Sequence, residues 1–317
     1  MASEPIVTVF DLPVAKRSSF WNSKIWFDYL VLTKPEVNFL IVVTTIAGFY
    51  LGCPVAWHEF PFSRSINAVL GTLMVASGTG ALNQYIERRF DAQMRRTARR
   101  PLAAGRLNSS AVLWFGITLS VLGTVYLAAA VNLLASLLVL GTLLSYLFLY
   151  TPLKRKSPLC TLVGAFSGAM PPLIGWAAAS GRLSLGAWIL YSVLFLWQFP
   201  HFMSIAWMYR EDYARAGYLV LPQDERARER FVNWQTWLPL VLLAPVSLLP
   251  ALLPGMTGKS GAAYSIGAVL LCAGFLYYGA QFALRKSNSS ARQLLSASII
   301  YLPALFVLMM LLRKSYG

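Results

Sequence analysis

Three side chains that end in oxygen recur at a spacing of four: Asn83, Glu87 and Asp91. At about 100° of helix per residue they lie within about 80° of arc, a single stripe on one helix face. A donor set made only of oxygen suits a hard cation, Mg2+ rather than zinc, and Mg2+ commonly joins one or two carboxylates to substrate phosphates. The same run, NQYIERRFDAQMRRTARRPLAAGR at 83–106, holds seven arginines: Arg88, Arg89, Arg95, Arg96, Arg99, Arg100 and Arg106. Guanidinium forks grip phosphate bidentately. Together, stripe and cluster point to chemistry on a metal-held diphosphate. Each alone has a plainer account. Arginine-rich loops are routine at membrane boundaries, and Glu87 could pair on the surface with Arg88 or Arg95.

The elements that must carry the stripe follow from composition. The 317 residues are 57% hydrophobic and 12% charged, with 27 basic and 12 acidic residues and a net charge of +15. Soluble domains carry roughly 25% charged residues, so this chain could not cover a soluble surface, and it is far too apolar for disorder. Cys53, Cys160 and Cys272 are widely spaced with no CxxC pair, so neither a disulfide framework nor a zinc site is indicated. The chain reads as an all-α polytopic membrane protein. Nine apolar stretches have the length of about 20 residues that a crossing needs: 36–52, 65–83, 111–130, 132–150, 158–180, 184–208, 234–253, 262–283 and 293–312. None alternates with period two, so helices are expected rather than barrel strands. The break between the third and fourth rests on the short stretch Ala130–Asn132.

Residues 1–29 read as a cytoplasmic N-terminal segment and 30–317 as the membrane domain. With the N-terminus inside, 22 basic residues fall on the cytoplasmic side, among them Lys16, Arg17, Lys24, Lys34 and Lys154–Lys156. Five fall outside: Arg64, Arg182, Lys259, Arg313 and Lys314. The bias places the C-terminus outside, with the last two at the interface. The first 28 residues contain Glu4, Asp11 and Asp28 and lack an apolar h-region, so a cleavable targeting segment is not expected. A bacterial inner membrane is the expected location. The positive charge reads as topology plus affinity for anionic headgroups or phosphates, with no nucleic acid among the expected partners.

The pattern N-x-x-x-E-x-x-x-D-x-x-M-x-R-T-x-x-R-P, from Asn83 to Pro101, resembles the first Asp-rich motif of the UbiA superfamily of intramembrane prenyltransferases. Three further stretches resemble, in order, the branch of that superfamily that farnesylates heme. They are LTKPEVNFLIVVTTIAGFYLG (32–52), YTPLKRKSPLCTLVGAFSGAMPPLIGW (150–176) and WQFPHFMSIAWMYREDYARAGYLVLP (197–222). The likeness runs from about residue 30 to 313. It implies nine transmembrane helices around a central cavity with a cytoplasmic cap, and a reaction of farnesyl diphosphate, heme b and water that gives heme O and diphosphate. It implies Mg2+ held by Asn83, Glu87, Asp91 and Asp212, with Arg96, Arg100 and Lys154 neutralising the diphosphate. It further implies substrate contacts from Lys34, Arg95, Tyr150, Arg155, His201, Glu211 and Tyr213. Membrane lipids and a downstream heme A synthase or terminal oxidase are the implied partners.

The sequence departs from the superfamily at its second acidic motif. Most UbiA-type aromatic prenyltransferases show D-x-x-x-D near the end of the sixth span. Here PHFMSIAWMYREDY puts His201 upstream and Glu211 and Asp212 downstream, which favours heme over a quinone ring. Which of the two acids completes the metal shell stays open, with Asp212 preferred. Glu36 stands where a basic residue is expected, and Cys160 where the heme branch often has Asn.

Other features carry two readings each. His201, inside a span, could ligate heme iron or orient a propionate, or could bond a neighbouring helix; His58 reads as a surface residue. Phe195, Phe199 or Phe202 could shield an allylic cation or face lipid. The small residues of GAFSGAMPPLIGW (164–176), with a break at Pro171-Pro172, could shape a prenyl tunnel or permit close packing. QDERARER (223–230) could cap the site or form a solvated helix with i,i+4 charge pairs. Trp188, Trp197, Trp207, Trp234 and Trp237 fit an interfacial belt. Two other functions remain: a UbiA-type transferase for a quinone precursor, and a non-catalytic transporter using the acids as an ion path. Against the transporter, the acids lie at the membrane edge rather than the midplane.

Overall fold

A computed structural model describes residues 23–313 except 254–255 and 258–259. Glu4, Asp11, Lys16, Arg17, Lys259 and Lys314, used above, lie outside the described residues. Among the described residues the chain is helical, and nine helices are long and apolar enough to cross a bilayer. A short α1 (Ser23–Leu32) precedes α2 (Pro35–Gly52) and α3 (Phe62–Asp91). Then come α4 (Ser109–Ala130), α5 (Leu133–Leu153), α6 (Cys160–Ser180) and α7 (Leu185–Met208). A second short helix, α8 (Arg210–Arg215), leads to α9 (Glu225–Leu252), α10 (Gly261–Arg285) and α11 (Asn288–Leu311).

Helix starts are written in capping residues. Asn108 accepts hydrogen bonds from the amides of Ser110 and Ala111 to open α4, and Asn132 accepts from Ala135 to open α5. Asp224 accepts from Ala227, and Ser287 forms a reciprocal capping box with Ser290. Asn132 also donates to the carbonyls of Ala177 and Ala178, which pins the break between the third and fourth spans. The expected break at Ala130–Asn132 is therefore real. The mixed-charge run 223–230 is not a separate cap: from Glu225 on it forms the first turns of α9. There Lys286 reaches back to Glu229 at 2.8 Å.

The spans close into a ring. α3 lies along α4, and α2 along the second half of α6. α7 contacts α9 and α11, α10 packs between α9 and α11, and α11 returns to α2. Arg313 ties the end of α11 to the end of α2 by donating to the carbonyls of Tyr50 and Cys53. α6 and α7 are the most enclosed spans, each 67% buried in its apolar window. Outer faces carry exposed Trp114, Leu270 and Ile300, apolar surface that suits lipid and not water. Trp188, Trp234 and Trp237 are on such faces, but Trp197 and Trp207 are buried, so these two belong to the core and not to a belt.

Two local irregularities matter for the site. In α6, a turn at Ala169 separates Cys160–Gly168 from Met170–Ser180, so the break falls just before the prolines, which open the new helical segment where their missing N–H costs nothing. This segment does not line the cavity described below. A Cβ on Gly48 would collide with the Pro172 carbonyl, and one on Gly175 with the Thr45 carbonyl, so the small residues serve backbone approach between α2 and α6. In α5, residues Ser145–Tyr150 form a π-helical turn. There the Tyr146 carbonyl accepts from the Thr151 amide five residues on and also, at 2.8 Å, from the Thr151 hydroxyl.

Candidate active site

α3 stays helical through Asp91, so Asn83, Glu87 and Asp91 occupy one face over its last turns. All three are buried, at 1%, 5% and 1% exposure. Buried carboxylates must be paired, and every oxygen group of the stripe has a base from a different element. Lys34, in the turn between α1 and α2, donates to Asn83 Oδ1 at 2.8 Å. Lys154, just past α5, meets Glu87 Oε1 at 2.8 Å. Arg100, in the 92–108 segment, donates to both Asp91 oxygens at 2.9 and 2.7 Å. Asn83 also donates to the Thr151 hydroxyl at 3.3 Å, which couples the stripe to the irregular turn of α5.

The segments that present these bases are themselves braced. Thr97 donates to the Asp91 carbonyl at 2.8 Å, and Arg106 donates from Nε and Nη2 to the Asp28 carboxylate of α1. That hydrogen bonding raises the Arg106 pKa. The Leu219 amide donates to the Lys154 carbonyl at 2.7 Å, so the stretch after α8 lies against the end of α5. Lys34 itself adopts a left-handed backbone (φ 54, ψ 63), unfavourable for a residue with a side chain and found where surrounding structure holds it. Burial, with Arg100 and Lys154 nearby, lowers its pKa to about 7. Burial also opposes the charge on Lys154, but Tyr150 and Glu87 outweigh it and hold its pKa well above the usual value. An anion entering here would stabilise charge on both.

A cleft of about 190 Å3 sits on the stripe. Its charged wall is Lys34, Arg96, Arg100 and Lys154; its aromatic wall is Tyr146, Tyr150, Phe202, Tyr213 and Tyr218. Arg96 donates to the Tyr213 hydroxyl at 2.6 Å and stacks over the rings of Tyr209 and Tyr213. Lys154 sits 4.5 Å over the Tyr150 ring. Burial and neighbouring Glu87 raise the Tyr218 phenol pKa, so that hydroxyl stays protonated as a donor. The stretches 92–108 and 210–222, which supply several of these residues, cap this end of the bundle. A space this small matches a diphosphate group better than a whole prenyl chain with its acceptor.

The donor set fits Mg2+: two carboxylates and one amide oxygen, successive along one helix face, with room for phosphate oxygens. No soft or imidazole ligand lies among them. Among the described residues no group of three or more His, Cys, Asp or Glu side chains is placed to hold a metal ion.

The cleft gathers Asn83, Glu87, Asp91, Arg96, Arg100, Lys154, Lys34, Tyr150 and Tyr213 from the sequence-based set. Five others are elsewhere. Asp212, expected on the metal, pairs with Arg215 at 3.1 Å within α8 and is not in the cleft wall. Glu211 points outward, its side chain 82% exposed. Arg95 is exposed beyond the cleft, and Arg155 stacks over Phe90 at 4.3 Å. His201 bonds Ser298 of α11 and lies outside the wall. Of the three phenylalanines considered as cation shields, Phe202 alone lines the cleft. Tyr146, Tyr218, Met94, Thr97, Cys160 and Thr161 were not singled out as wall residues. Met94 and Thr97 are letters of the 83–101 motif, Cys160 and Thr161 fall in the 150–176 stretch and Tyr218 in the 197–222 stretch; Tyr146 lies in none of them.

Residues 41–308 match the UbiA prenyltransferase family. The chain is similar to a protoheme IX farnesyltransferase of Solibacter usitatus, 48% identical over 90% of this chain and 98% of that one. Its fold is similar to that of a digeranylgeranylglyceryl phosphate synthase, with a TM-score of 0.72 at 18% identity over 91% of this chain and 98% of that one. It is also similar to a UbiA homologue from Archaeoglobus fulgidus bound to GPP and Mg2+, with a TM-score of 0.61 at 16% identity over 89% and 99% of the two chains.

Proposed function

The chain belongs to the UbiA prenyltransferase family, and from that premise we propose that it farnesylates heme b. The reaction takes farnesyl diphosphate, the vinyl group of heme b and water, and gives heme O and diphosphate. The observation that carries the acceptor is the 48% identity, over 90% of this chain, with a relative named for that reaction. The cleft is consistent with the donor half: oxygens for a divalent ion beside four bases for a diphosphate.

Asn83, Glu87 and Asp91 would hold Mg2+; a fold neighbour from Archaeoglobus fulgidus was solved bound to GPP and Mg2+. When bound, the ion neutralises charge on the leaving diphosphate. Lys34, Lys154 and Arg100, the present partners of the stripe, then face the phosphate oxygens, with Arg96 braced by two tyrosines. Cations fixed where negative charge develops favour departure of diphosphate and leave an allylic cation. The rings of Tyr146, Tyr150 and Phe202 offer that cation π faces. The heme vinyl group attacks it, and water captures the resulting carbocation. No nucleophilic side chain is required. The site opens to the cytoplasm of a bacterial inner membrane, and heme O passes to a heme A synthase or terminal oxidase.

The test is pigment analysis in cells that lack heme O. Expression of this chain should yield heme O in the extracted haems. Heme b alone, with the protein present in the membrane, would discard the acceptor assignment; prenylation of a quinone precursor by the same membranes would replace it.

A further inference from the structure

His201 is left without a role by the diphosphate chemistry. It lies on α7 one turn before Ile205, which lines the cleft, so the two share a face of that helix. Since α7 runs toward the cleft end, His201 is deeper in the bundle, on the edge of the wall that meets α11. Its ring stacks on Trp197 at 4.6 Å and 24° and stands edge-on to Phe202, itself part of the cleft wall.

The hydrogen bonds around it determine where the lone pair is. Ser298 Oγ donates its single proton to the Leu295 carbonyl at 2.6 Å. With that proton on the Leu295 carbonyl, the same oxygen accepts at His201 Nδ1, 2.8 Å away. This arrangement assigns the proton to Nδ1 and leaves the Nε2 lone pair open. Trp197 locks the arrangement from the other side by donating its indole N–H to the Ser298 carbonyl at 2.8 Å. Nε2 has no hydrogen-bond partner among the described residues, and the ring is only partly buried, so this nitrogen is open to a ligand. An imidazole whose Nδ1–H is tied to an oxygen and whose Nε2 is open is the arrangement that metal-binding histidines adopt. A histidine serving only to join α7 to α11 would need no such preparation of its second nitrogen.

We propose that His201 Nε2 is an axial ligand to the iron of the porphyrin acceptor, which docks beside α7 and α11 one turn below the diphosphate cleft. This placement rests on the heme reading above and specifies its acceptor subsite. It puts the porphyrin edge next to Phe202, at the mouth where the allylic carbon is released. Ser298 acts as a positioning residue that sets the tautomer.

The chain has two histidines, and the other, His58, lies in an exposed 3-10 turn at the opposite end of the bundle, so the assignment is spectroscopically clean. Full-length protein carrying no histidine tag is titrated with hemin in lipid nanodiscs and followed by its Soret band and by electron paramagnetic resonance. The wild type and His58→Ala should both show histidine ligation. His201→Ala should lose it and regain it on addition of imidazole, while binding geranyl diphosphate with Mg2+ as tightly as the wild type, which certifies its fold. Ser298→Ala should weaken hemin binding by about 10-fold, the scale at which outer partners of ligating histidines act. A His201→Ala spectrum identical to wild type, or a wild type without nitrogen ligation, overturns the proposal. Heme O production together with either result refutes the ligand alone; its absence in the pigment assay refutes the heme reading itself.

Discussion

At Asp91 two functions compete for one side chain. Its carboxylate is 2% exposed and balances Arg100, and on the proposed reading it also holds the metal. Asp91→Asn separates the two. The amide keeps an oxygen for Arg100, whose side chain is 28% exposed and can turn to water. The stability loss should therefore be about 1–2 kcal/mol, short of the roughly 3–5 kcal/mol of a fully stranded buried charge. Turnover should fall by at least about 100-fold, as when a charge-stabilising group is removed from other active sites. Thermal unfolding in detergent and product formation, measured on the same preparation, give both numbers; normal turnover would remove Asp91 from the metal site. Lys154→Met is the complementary case. It strands Glu87 and weakens diphosphate capture, so KM for farnesyl diphosphate should rise about 10-fold or more while excess Mg2+ restores part of the loss. The oxygen stripe was legible because a spacing of four makes one helix face whatever the tertiary structure. Its basic partners were not: Lys34, Lys154 and Arg100 come from three segments that meet only when the bundle closes. Asp212 stands apart from the cleft for a related reason, since a carboxylate three residues before Arg215 has a local partner.

At the scale of elements, the apolar runs marked all nine spans because about 20 uncharged residues leave the chain little choice in a bilayer. Hydropathy failed at α3, whose last turn carries Glu87, Arg88, Arg89 and Asp91, and at α9, which begins in a charged run; in both, the helix outlasts the apolar stretch. The π-helical turn in α5 had no sequence signal at all, yet it sets Tyr146 and Tyr150 in the cleft. The contact of α2 with α6 yields a sharp prediction. Gly48→Ala and Gly175→Ala drive a methyl into backbone carbonyls that cannot give way without moving a helix, so each should cost about 1–3 kcal/mol. Gly141, on an exposed stretch of α5 with nothing within 4 Å of an added Cβ, is the control: Gly141→Ala should be neutral or stabilising by up to about 1 kcal/mol. Unfolding of the three variants in one detergent checks this. Equal stability of all three would mean that α2 and α6 are not held at backbone distance.

Viewed whole, the bundle is polar in the literal sense. The oxygen stripe, its bases, the Arg106–Asp28 pair and the 92–108 and 210–222 segments crowd one end, where α3 finishes and α4 begins. The other end, around the 57–59 turn and the Ser180–Arg182 turn, has few charges. Basic residues near span ends stay on the side where the membrane potential and anionic lipids hold them, so the crowded end should face the cytoplasm. The native thiols Cys53, Cys160 and Cys272 are buried, which makes single-site labelling practical. Gln93→Cys at the crowded end and Glu59→Cys at the other are both at exposed positions. In intact cells whose outer membrane has been permeabilised, a membrane-impermeant maleimide should modify Glu59→Cys and spare Gln93→Cys, which reacts only after lysis. Free Mg2+ with a diphosphate analogue, added to inverted vesicles, should leave Gln93→Cys labelling intact and protect the protein from thermal unfolding. Labelling of Gln93→Cys from outside would invert the bundle.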